Sequence, residues 1–217
     1  MAPTVDLVVP LKPPRDGKSR LRGALTSPGD DAHHAELVLA LALDTLTAAT
    51  AAPGVRRVLV VAADPEAIES VKSLSVEIVA EPGPGGLNAA YQFGESVLRA
   101  DDPGVIVGAL QADLPALRAV DLGAALARAG GRRAFSPDRQ GTGTTFLLSA
   151  PGLPLDPRFG VGSAGRHANS GALVLDAGLS LRSDVDTADD LREARALGVG
   201  EHTKAILDRH CSPLWPA

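Results

Sequence analysis

The sequence predicts an α/β domain in which helices cover both faces of a mostly parallel sheet. Apolar runs of strand length alternate with segments in which apolar residues recur at helical spacing. Aromatic residues make up only 3% of the chain, so Val, Leu, Ile and Ala must build the core, as in many buried parallel sheets. The 217 residues suit one domain spanning 1–217.

The predicted strands and helices alternate along the chain. The strands are predicted at 5–9, 55–62, 76–79, 105–110, 134–136 and 144–149, and the helices at 30–51, 65–73, 87–99, 121–129 and in a segment that ends near Gly198. The run Val105–Leu110 is the most apolar, which predicts a central position in the sheet. Thr187 and Asp190 have the spacing of a capping box at the start of the last helix.

Charge and composition exclude several classes of protein. A net charge of −5 argues against binding to nucleic acid or to a membrane surface, since both need a dominant basic field. No apolar run approaches the roughly 20 residues of a membrane span, and the N-terminus lacks the pattern of a signal peptide. The single cysteine, Cys211, cannot form an internal disulfide bond. We therefore expect a cytoplasmic protein.

Three unusual loops follow predicted strands, at 10–22, 81–88 and 111–115. Open α/β sheets bind ligands at this edge, so the loops are expected to converge on one site. The first loop is strongly basic in an otherwise acidic chain, with Lys12, Arg15, Lys18, Arg20 and Arg22. Such a loop suits a polyphosphate, although a solvated basic loop is an alternative. It lacks a Walker motif, which argues against a P-loop NTPase.

Acidic residues follow in two places. Asp113 comes directly after the most apolar strand, where it either caps a turn or binds Mg²⁺ beside a triphosphate. Asp184 and Asp186 flank Val185 and point to the same side of an extended chain. Capping of the following helix would explain Asp186 but not Asp184. Together, Asp113, Asp184 and Asp186 predict one divalent-metal site.

Small and hydroxyl-bearing residues mark a third region, at 141–145 and 158–167. Glycines there would let backbone N–H groups approach an anion closely, and Thr144 and Ser163 add hydroxyl donors. A flexible surface loop is the alternative. Asn88, after Gly85 and Gly86, is a candidate contact for a base or ribose, although a plain turn before a helix also explains it.

These motifs, taken in order, resemble one family. They are Pro10-Leu-Lys12, Lys18-Ser-Arg20-Leu21, Leu87-Asn88, Ala112-Asp113-Leu-Pro115, Gly141-Thr-Gly-Thr144, Pro157-Arg-Phe-Gly160 with Ser163 and Arg166-His167, and Asp184-Val-Asp186-Thr187. The chain resembles the phosphoenolpyruvate and 2-phospho-L-lactate guanylyltransferases of coenzyme F-420 biosynthesis, most closely the actinobacterial type. The resemblance covers nearly the whole sequence.

The resemblance implies a three-layer, Rossmann-like nucleotidyltransferase fold, as in nucleotide-diphospho-sugar transferases. It implies GTP and phosphoenolpyruvate as substrates, and enolpyruvyl-diphospho-5'-guanosine and pyrophosphate as products. By motif, the implied Mg²⁺ ligands are Asp113, Asp184 and Asp186, and the implied phosphoenolpyruvate-binding residues are Thr144, Gly160 and Ser163. The implied catalytic residues are Lys12, Lys18 and Asp113, and the implied nucleotide contacts are Lys12, Lys18 and Asn88.

Alternatives remain open from the sequence. The same chemistry on 2-phospho-L-lactate or 3-phosphoglycerate would need no visible change of motif. A non-catalytic nucleotide-binding module is a second alternative, although such a module would not need three clustered carboxylates. Hand-off of an unstable product to a downstream deazaflavin transferase is a further expectation that no sequence feature tests.

Overall fold

The computed structural model describes residues 4–13, 18–21, 31–83 and 85–210. Arg15 and Arg22 of the basic loop and Cys211 therefore lie outside the described residues. The strands are β1 (Val5–Leu11), β2 (Val55–Ala62), β3 (Glu77–Ala80), β4 (Ile106–Leu110), β5 (Ala134–Pro137), β6 (Thr144–Leu148) and β7 (Leu173–Val174). They form a seven-stranded sheet in the order β3-β2-β1-β4-β6-β5-β7.

The sheet is parallel from β3 to β4 and turns antiparallel at β6. Strand β1 pairs in parallel with both β2 and β4, whereas β6 runs antiparallel to β4 and β5. The predicted central position of the run 105–110 is confirmed, since β4 is fourth of the seven strands. The carboxyl ends of β1 to β4 consequently meet at one edge of the sheet.

Strand β1 continues past Pro10, where the sequence predicted it to end. Its pairing with β4 stops at Val8, whereas its pairing with β2 runs on to Leu11. Beyond Val8 the strand is therefore paired on one side only. Proline is tolerated where a ladder hydrogen bond is not required, and the extension carries β1 towards Lys12.

Helices cover both faces of this sheet. They are α1 (Asp31–Thr50), α2 (Gly86–Asp101), α3 (Ala119–Ala129), α4 (Ser163–Asn169), α5 (Leu179–Arg182), α6 (Ala188–Leu197) and α7 (Glu201–His210), with 3-10 helices at Ser19–Leu21 and Glu66–Ser73. Buried residues of α1, α3 and α5 pack against one face, and those of α2 and α4 against the other. The predicted three-layer α/β architecture is confirmed.

The last two helices pack on the outer side of α1. Leu37 of α1, Leu191 of α6 and Ile206 of α7 belong to one buried cluster. The capping box of α6 is present as predicted, with Thr187 and Asp190 bonding each other's backbone. None of the helices in the described ranges combines the length and apolarity that a membrane span requires.

Helix α7 was not predicted, because its start depends on a distant residue. Asp44 of α1 accepts hydrogen bonds from the backbone N–H groups of His202, at 3.0 Å, and Thr203, at 2.8 Å. The first N–H groups of a helix have no partner within the helix. Here Asp44 of α1 is the hydrogen-bond partner, although it lies more than 150 positions away in the chain. No local sequence pattern reveals such a contact.

Candidate active site

The predicted loops converge on one cavity of about 400 Å³ at the carboxyl ends of β1 and β4. Residues at the end of β1 and in the basic loop form one wall, and residues after β4 form another. The lining residues are Pro10, Leu11, Lys12, Lys18, Arg20, Val38, Leu41, Ala42, Leu87, Gln111, Ala112, Asp113 and Asp186. Four charged residues of the predicted site, Lys12, Lys18, Asp113 and Asp186, line this cavity, whereas Asp184 and Asn88 are not among its lining residues.

Lys18 lies between two of the predicted metal ligands. Its ammonium nitrogen bonds both Asp113 Oδ2 and Asp186 Oδ1. The backbone of Lys18 is left-handed, with φ of 54°, which non-glycine residues rarely adopt. Burial lowers the pKa of Lys18, but attraction to Asp113 and then Asp186 outweighs it and raises the pKa overall. The ammonium group is thus held as a permanent cation in the cleft.

The two acidic segments are joined through the main chain. The backbone N–H of Val185 donates to the carbonyl oxygen of Asp113 at 3.0 Å, while the Val185 side chain is fully buried. This contact holds Asp184 and Asp186 close to Asp113. Burial, together with the negative charges of Asp113 and Asp186, raises the pKa of Asp184 to about 7.

The alternative roles that the sequence left open for these aspartates find no support in these contacts. Thr187 and Asp190 cap α6, while the carboxylate of Asp186 faces Lys18. Asp113 likewise directs Oδ2 to Lys18, and no described residue provides a hydrogen bond to its buried Oδ1.

The site offers hard oxygen ligands of the kind that Mg²⁺ prefers, including the buried Asp113 Oδ1 without a partner among the described residues. The described part of the chain contains no group of three acidic, His or Cys side chains already spaced around a metal position. Mg²⁺ beside phosphates commonly uses only one or two protein carboxylates. The donor set fits Mg²⁺, and the three-aspartate ligand set stays a prediction.

A buried threonine supports the Asp113 loop from behind. The hydroxyl of Thr45, on α1, accepts a hydrogen bond from Leu114 N–H at 2.9 Å. The same oxygen lies 3.2 Å from the carbonyl oxygen of Ala112 and 2.8 Å from that of Leu41. Thr45 thus holds the backbone on both sides of Asp113. Thr45 was not predicted as a site residue, because a threonine inside an apolar helix carries no recognisable signal.

A second cluster, here called the hydroxyl cluster, consists of Thr144, Ser163 and His167. Ser163 Oγ lies 3.0 Å from Thr144 Oγ1, and His167 Nδ1 lies 2.9 Å from the same oxygen. All three residues are buried. Gln111, which lines the cavity, places its amide nitrogen 3.5 Å from the carbonyl oxygen of Thr144. Gln111 thereby links the cavity wall to the strand that carries Thr144, although none of the three cluster residues lines the cavity.

Asn88 and Gly160 shape the turn over the hydroxyl cluster. The side chain of Asn88 accepts from Phe159 N–H at 2.8 Å and donates to Phe159 C=O at 3.1 Å. Gly160 follows with φ of 120°, a conformation that strains any residue with a side chain. In the structure Asn88 therefore anchors the turn, and its predicted contact with the nucleotide stays a prediction.

The glycines at 141–143 do not present their N–H groups to an outside anion. The carboxylate of Asp138 accepts from Thr142 N–H at 2.8 Å and from Gly143 N–H at 2.7 Å. A Cβ at Gly143 would lie only 2.4 Å from Asp138 Oδ2. The expectation of an anion site here was wrong, because the chain supplies the anion itself and uses it to close the loop before Thr144.

Comparison with known proteins places the chain in a family. The model of the family described as "Guanylyl transferase CofC like" matches residues 5–211. A phosphoenolpyruvate guanylyltransferase of Streptomyces coelicolor is 48% identical over 94% of this chain and 95% of that protein. One of Streptomyces scabiei is 49% identical over 95% of this chain and 97% of that protein.

Solved structures agree on the fold. A putative nucleotide-diphospho-sugar transferase of Desulfovibrio desulfuricans matches with a TM-score of 0.67 and 19% identity, covering 94% of both chains. A CMP:2-keto-3-deoxy-manno-octonic acid synthetase matches with a TM-score of 0.53 and 16% identity, over 89% of this chain and 98% of that one. The predicted nucleotidyltransferase fold is thereby confirmed. With the family match over nearly its whole length, this chain belongs to the CofC-like guanylyl transferases and is an enzyme of the nucleotidyltransferase class.

Proposed function

We propose that the enzyme transfers GMP from GTP to phosphoenolpyruvate, giving enolpyruvyl-diphospho-5'-guanosine and pyrophosphate in coenzyme F-420 biosynthesis. The observation that carries this proposal is the convergence of Lys12, Lys18, Asp113 and Asp186 on one cavity, whose wall residue Gln111 contacts the main chain at Thr144. The names of the Streptomyces relatives supply the acceptor.

The reaction brings two polyanions together. An oxygen of the acceptor phosphate attacks the α-phosphorus of GTP, a new P–O bond forms, and the bond to the β-phosphate breaks to release pyrophosphate. The attacking oxygen is already an anion, so no general base is needed. The barrier is therefore mainly electrostatic, and lowering it requires positive charge fixed in the cleft.

Different residues of this chain would neutralise the phosphate charge and orient the acceptor. Lys12 and Lys18 line the cavity and would bind phosphate oxygens of the nucleotide. Mg²⁺, held by Asp113, Asp184 and Asp186, would neutralise further phosphate charge. Thr144, Gly160 and Ser163 would orient the acceptor, since hydroxyl groups and a glycine, which has no side chain, are suited to a small phosphorylated acid.

A panel of acceptors tests the proposal. Purified enzyme with GTP and Mg²⁺ is given phosphoenolpyruvate, 2-phospho-L-lactate or 3-phosphoglycerate, and pyrophosphate release and product mass are measured. We expect the highest kcat/KM with phosphoenolpyruvate and a product of the mass of enolpyruvyl-diphospho-guanosine. If another acid gives the highest kcat/KM, that acid is the acceptor and phosphoenolpyruvate is not. GTP binding without turnover would favour the non-catalytic alternative.

A further inference from the structure

The side chain of His167 is fully buried, and both ring nitrogens are hydrogen-bonded. Nδ1 lies 2.9 Å from Thr144 Oγ1, and Nε2 lies 2.9 Å from the backbone nitrogen of Arg158. The rings of Phe135 and Phe159 pack around the imidazole, with centroids 5.7 and 5.3 Å away. These contacts fix the orientation of the ring, and each nitrogen bonds one partner among the described residues.

The partner at Nε2 determines where the proton lies. A backbone N–H can only donate, so Nε2 of His167 must accept from Arg158 and carries no hydrogen. A neutral imidazole then carries its single proton on Nδ1. Consequently Nδ1–H donates to Thr144 Oγ1, and the hydroxyl oxygen is an acceptor in that bond.

This direction changes what the two hydroxyl groups can do. Thr144 and Ser163 together have two hydroxyl protons, and the bond between them uses one. If His167 were the acceptor, the second proton would be used as well. Because His167 donates, one hydroxyl proton of the pair is left over, whichever hydroxyl donates to the other. No acceptor among the described residues takes it, and a buried donor without a partner is costly, which points to an incoming ligand.

We propose that His167 is a positioning residue that turns the Thr144–Ser163 pair into a hydrogen-bond donor for an anionic oxygen of the acceptor substrate. This inference rests on the proposed function, because it takes the hydroxyl cluster as the acceptor site. His167 does not touch the acceptor and acts through Thr144. The leftover proton would bond a carboxylate or phosphate oxygen, and both groups occur in a phosphorylated acid.

The surroundings of His167 maintain the required neutral form. Burial, followed by the positive charges of Arg133 and Arg166, lowers the pKa of His167 to about 4. Arg158 acts in the same direction, and Asp156 opposes it. A protonated ring would place an N–H group against the Arg158 N–H, so the neutral form is also the one that the geometry accommodates.

Two substitutions separate the two nitrogens. In His167→Asn the amide nitrogen can take the place of Nδ1 and still donate to Thr144, while the contact with Arg158 N–H is lost. In His167→Gln the amide oxygen can take the place of Nε2 and still accept from Arg158, while donation to Thr144 is lost. Each variant loses one hydrogen bond, so a general loss of stability would affect both alike.

The steady-state constants of both variants test the inference, with the best acceptor of the wild-type enzyme as substrate. We expect the acceptor KM of His167→Gln to rise about tenfold, with KM for GTP and kcat within about twofold of wild type. His167→Asn should stay within about threefold on all three constants. Equal acceptor KM values in the two variants, or an effect mainly on kcat, would overturn the inference.

A second measurement does not depend on turnover. In ¹⁵N-labelled wild-type protein, the imidazole nitrogen shifts of His167 at neutral pH should show a neutral ring protonated on Nδ1. A proton on Nε2, or on both nitrogens, would overturn the inference even in an active enzyme. Absence of turnover with every acceptor, alongside an Nδ1 proton, would reject the proposed function and with it the acceptor role of His167.

Discussion

The charged cleft and the hydroxyl cluster are neighbours, yet they are built in opposite ways. The cleft brings Lys18, Asp113 and Asp186 together from distant parts of the chain and leaves Asp113 Oδ1 without a partner among the described residues. The hydroxyl cluster is neutral and buried, and its side chains bond one another. Each region leaves one polar group for a ligand, but the cleft depends on charges from distant parts of the chain, whereas the cluster is fixed by bonds among its own side chains.

The difference predicts different kinetic consequences. Charge in the cleft acts on the reacting phosphates, so substitutions there should reduce kcat. The hydroxyl cluster acts on the position of the acceptor, so substitutions there should raise the acceptor KM. Substitutions in each region, with kcat and the acceptor KM measured separately, test this difference.

Asp113→Asn should have the largest effect, a loss of at least about 10³-fold in kcat. It removes negative charge that the proposed Mg²⁺ requires as a ligand. Steady-state assays at saturating substrates measure it, and a thermal melt checks the fold. Asp101→Asn is the matched control, since Asp101 is exposed and pairs with Arg57 away from the cleft. Normal turnover by Asp113→Asn at ordinary Mg²⁺ concentration would remove Asp113 from the mechanism.

Acid should destabilise the fold through His167. Its pKa is lowered to about 4 in the folded protein, from an ordinary value of 6.5. Between those values the unfolded chain binds a proton that the folded protein does not, so stability falls as the pH drops through this window. We expect His167 to contribute a loss of about 2 kcal/mol between pH 7 and pH 5.

Urea denaturation of wild type and His167→Asn at both pH values measures that contribution. The variant lacks the titrating ring, so its free energy of unfolding should fall less with acidification. If the free energy of unfolding falls equally in the two proteins, the acid sensitivity arises from groups other than His167. The hydroxyl cluster would then not lower the pKa of His167.

Thr45→Val should reduce kcat about tenfold to thirtyfold, because it removes the hydroxyl that holds the backbone around Asp113 while keeping the size of the side chain. Thr45→Ser should restore most of the activity. Thr47→Val is the control, since the Thr47 hydroxyl bonds the Leu43 carbonyl of its own helix. Equal effects at positions 45 and 47 would show that the loss arises from α1 itself.

Ser163→Ala should have the smallest effect, a rise of about fivefold to tenfold in the acceptor KM with little change in kcat, because one of the two hydroxyl groups remains. Initial rates over a range of acceptor concentrations measure it. Ser180→Ala is the matched control, since Ser180 is also buried and bonds Asp121 on α3. An unchanged acceptor KM, or a loss confined to kcat, would show that the hydroxyl cluster does not act separately from the cleft.

The parts of the site that follow from strand order could be predicted from sequence. Asp113 follows the central strand and Lys12 follows β1, so the common edge of parallel strands brings them to one cavity. Thr45 could not be predicted, because its role depends on a carbonyl 67 positions away. His167 appeared in the sequence motif, but its part in the hydroxyl cluster depends on two partners that only the fold brings together.

The prediction of an external anion at the glycines 141–143 was also wrong. The glycines at 141–143 were expected to bind an anion from outside, whereas Asp138 supplies the carboxylate. A pattern of small residues indicates that something approaches the backbone closely, but it does not distinguish a ligand from another side chain of the same protein.

The bond from Val185 N–H to the Asp113 carbonyl has a practical consequence for mutagenesis. Because both atoms belong to the main chain, replacing any of the three carboxylates leaves this tether in place. Asparagine variants at 113, 184 and 186 should therefore remove the negative charge while preserving the spacing of the two segments. The exception is proline at 185, which has no hydrogen to donate and would separate the segments with every acidic side chain still present.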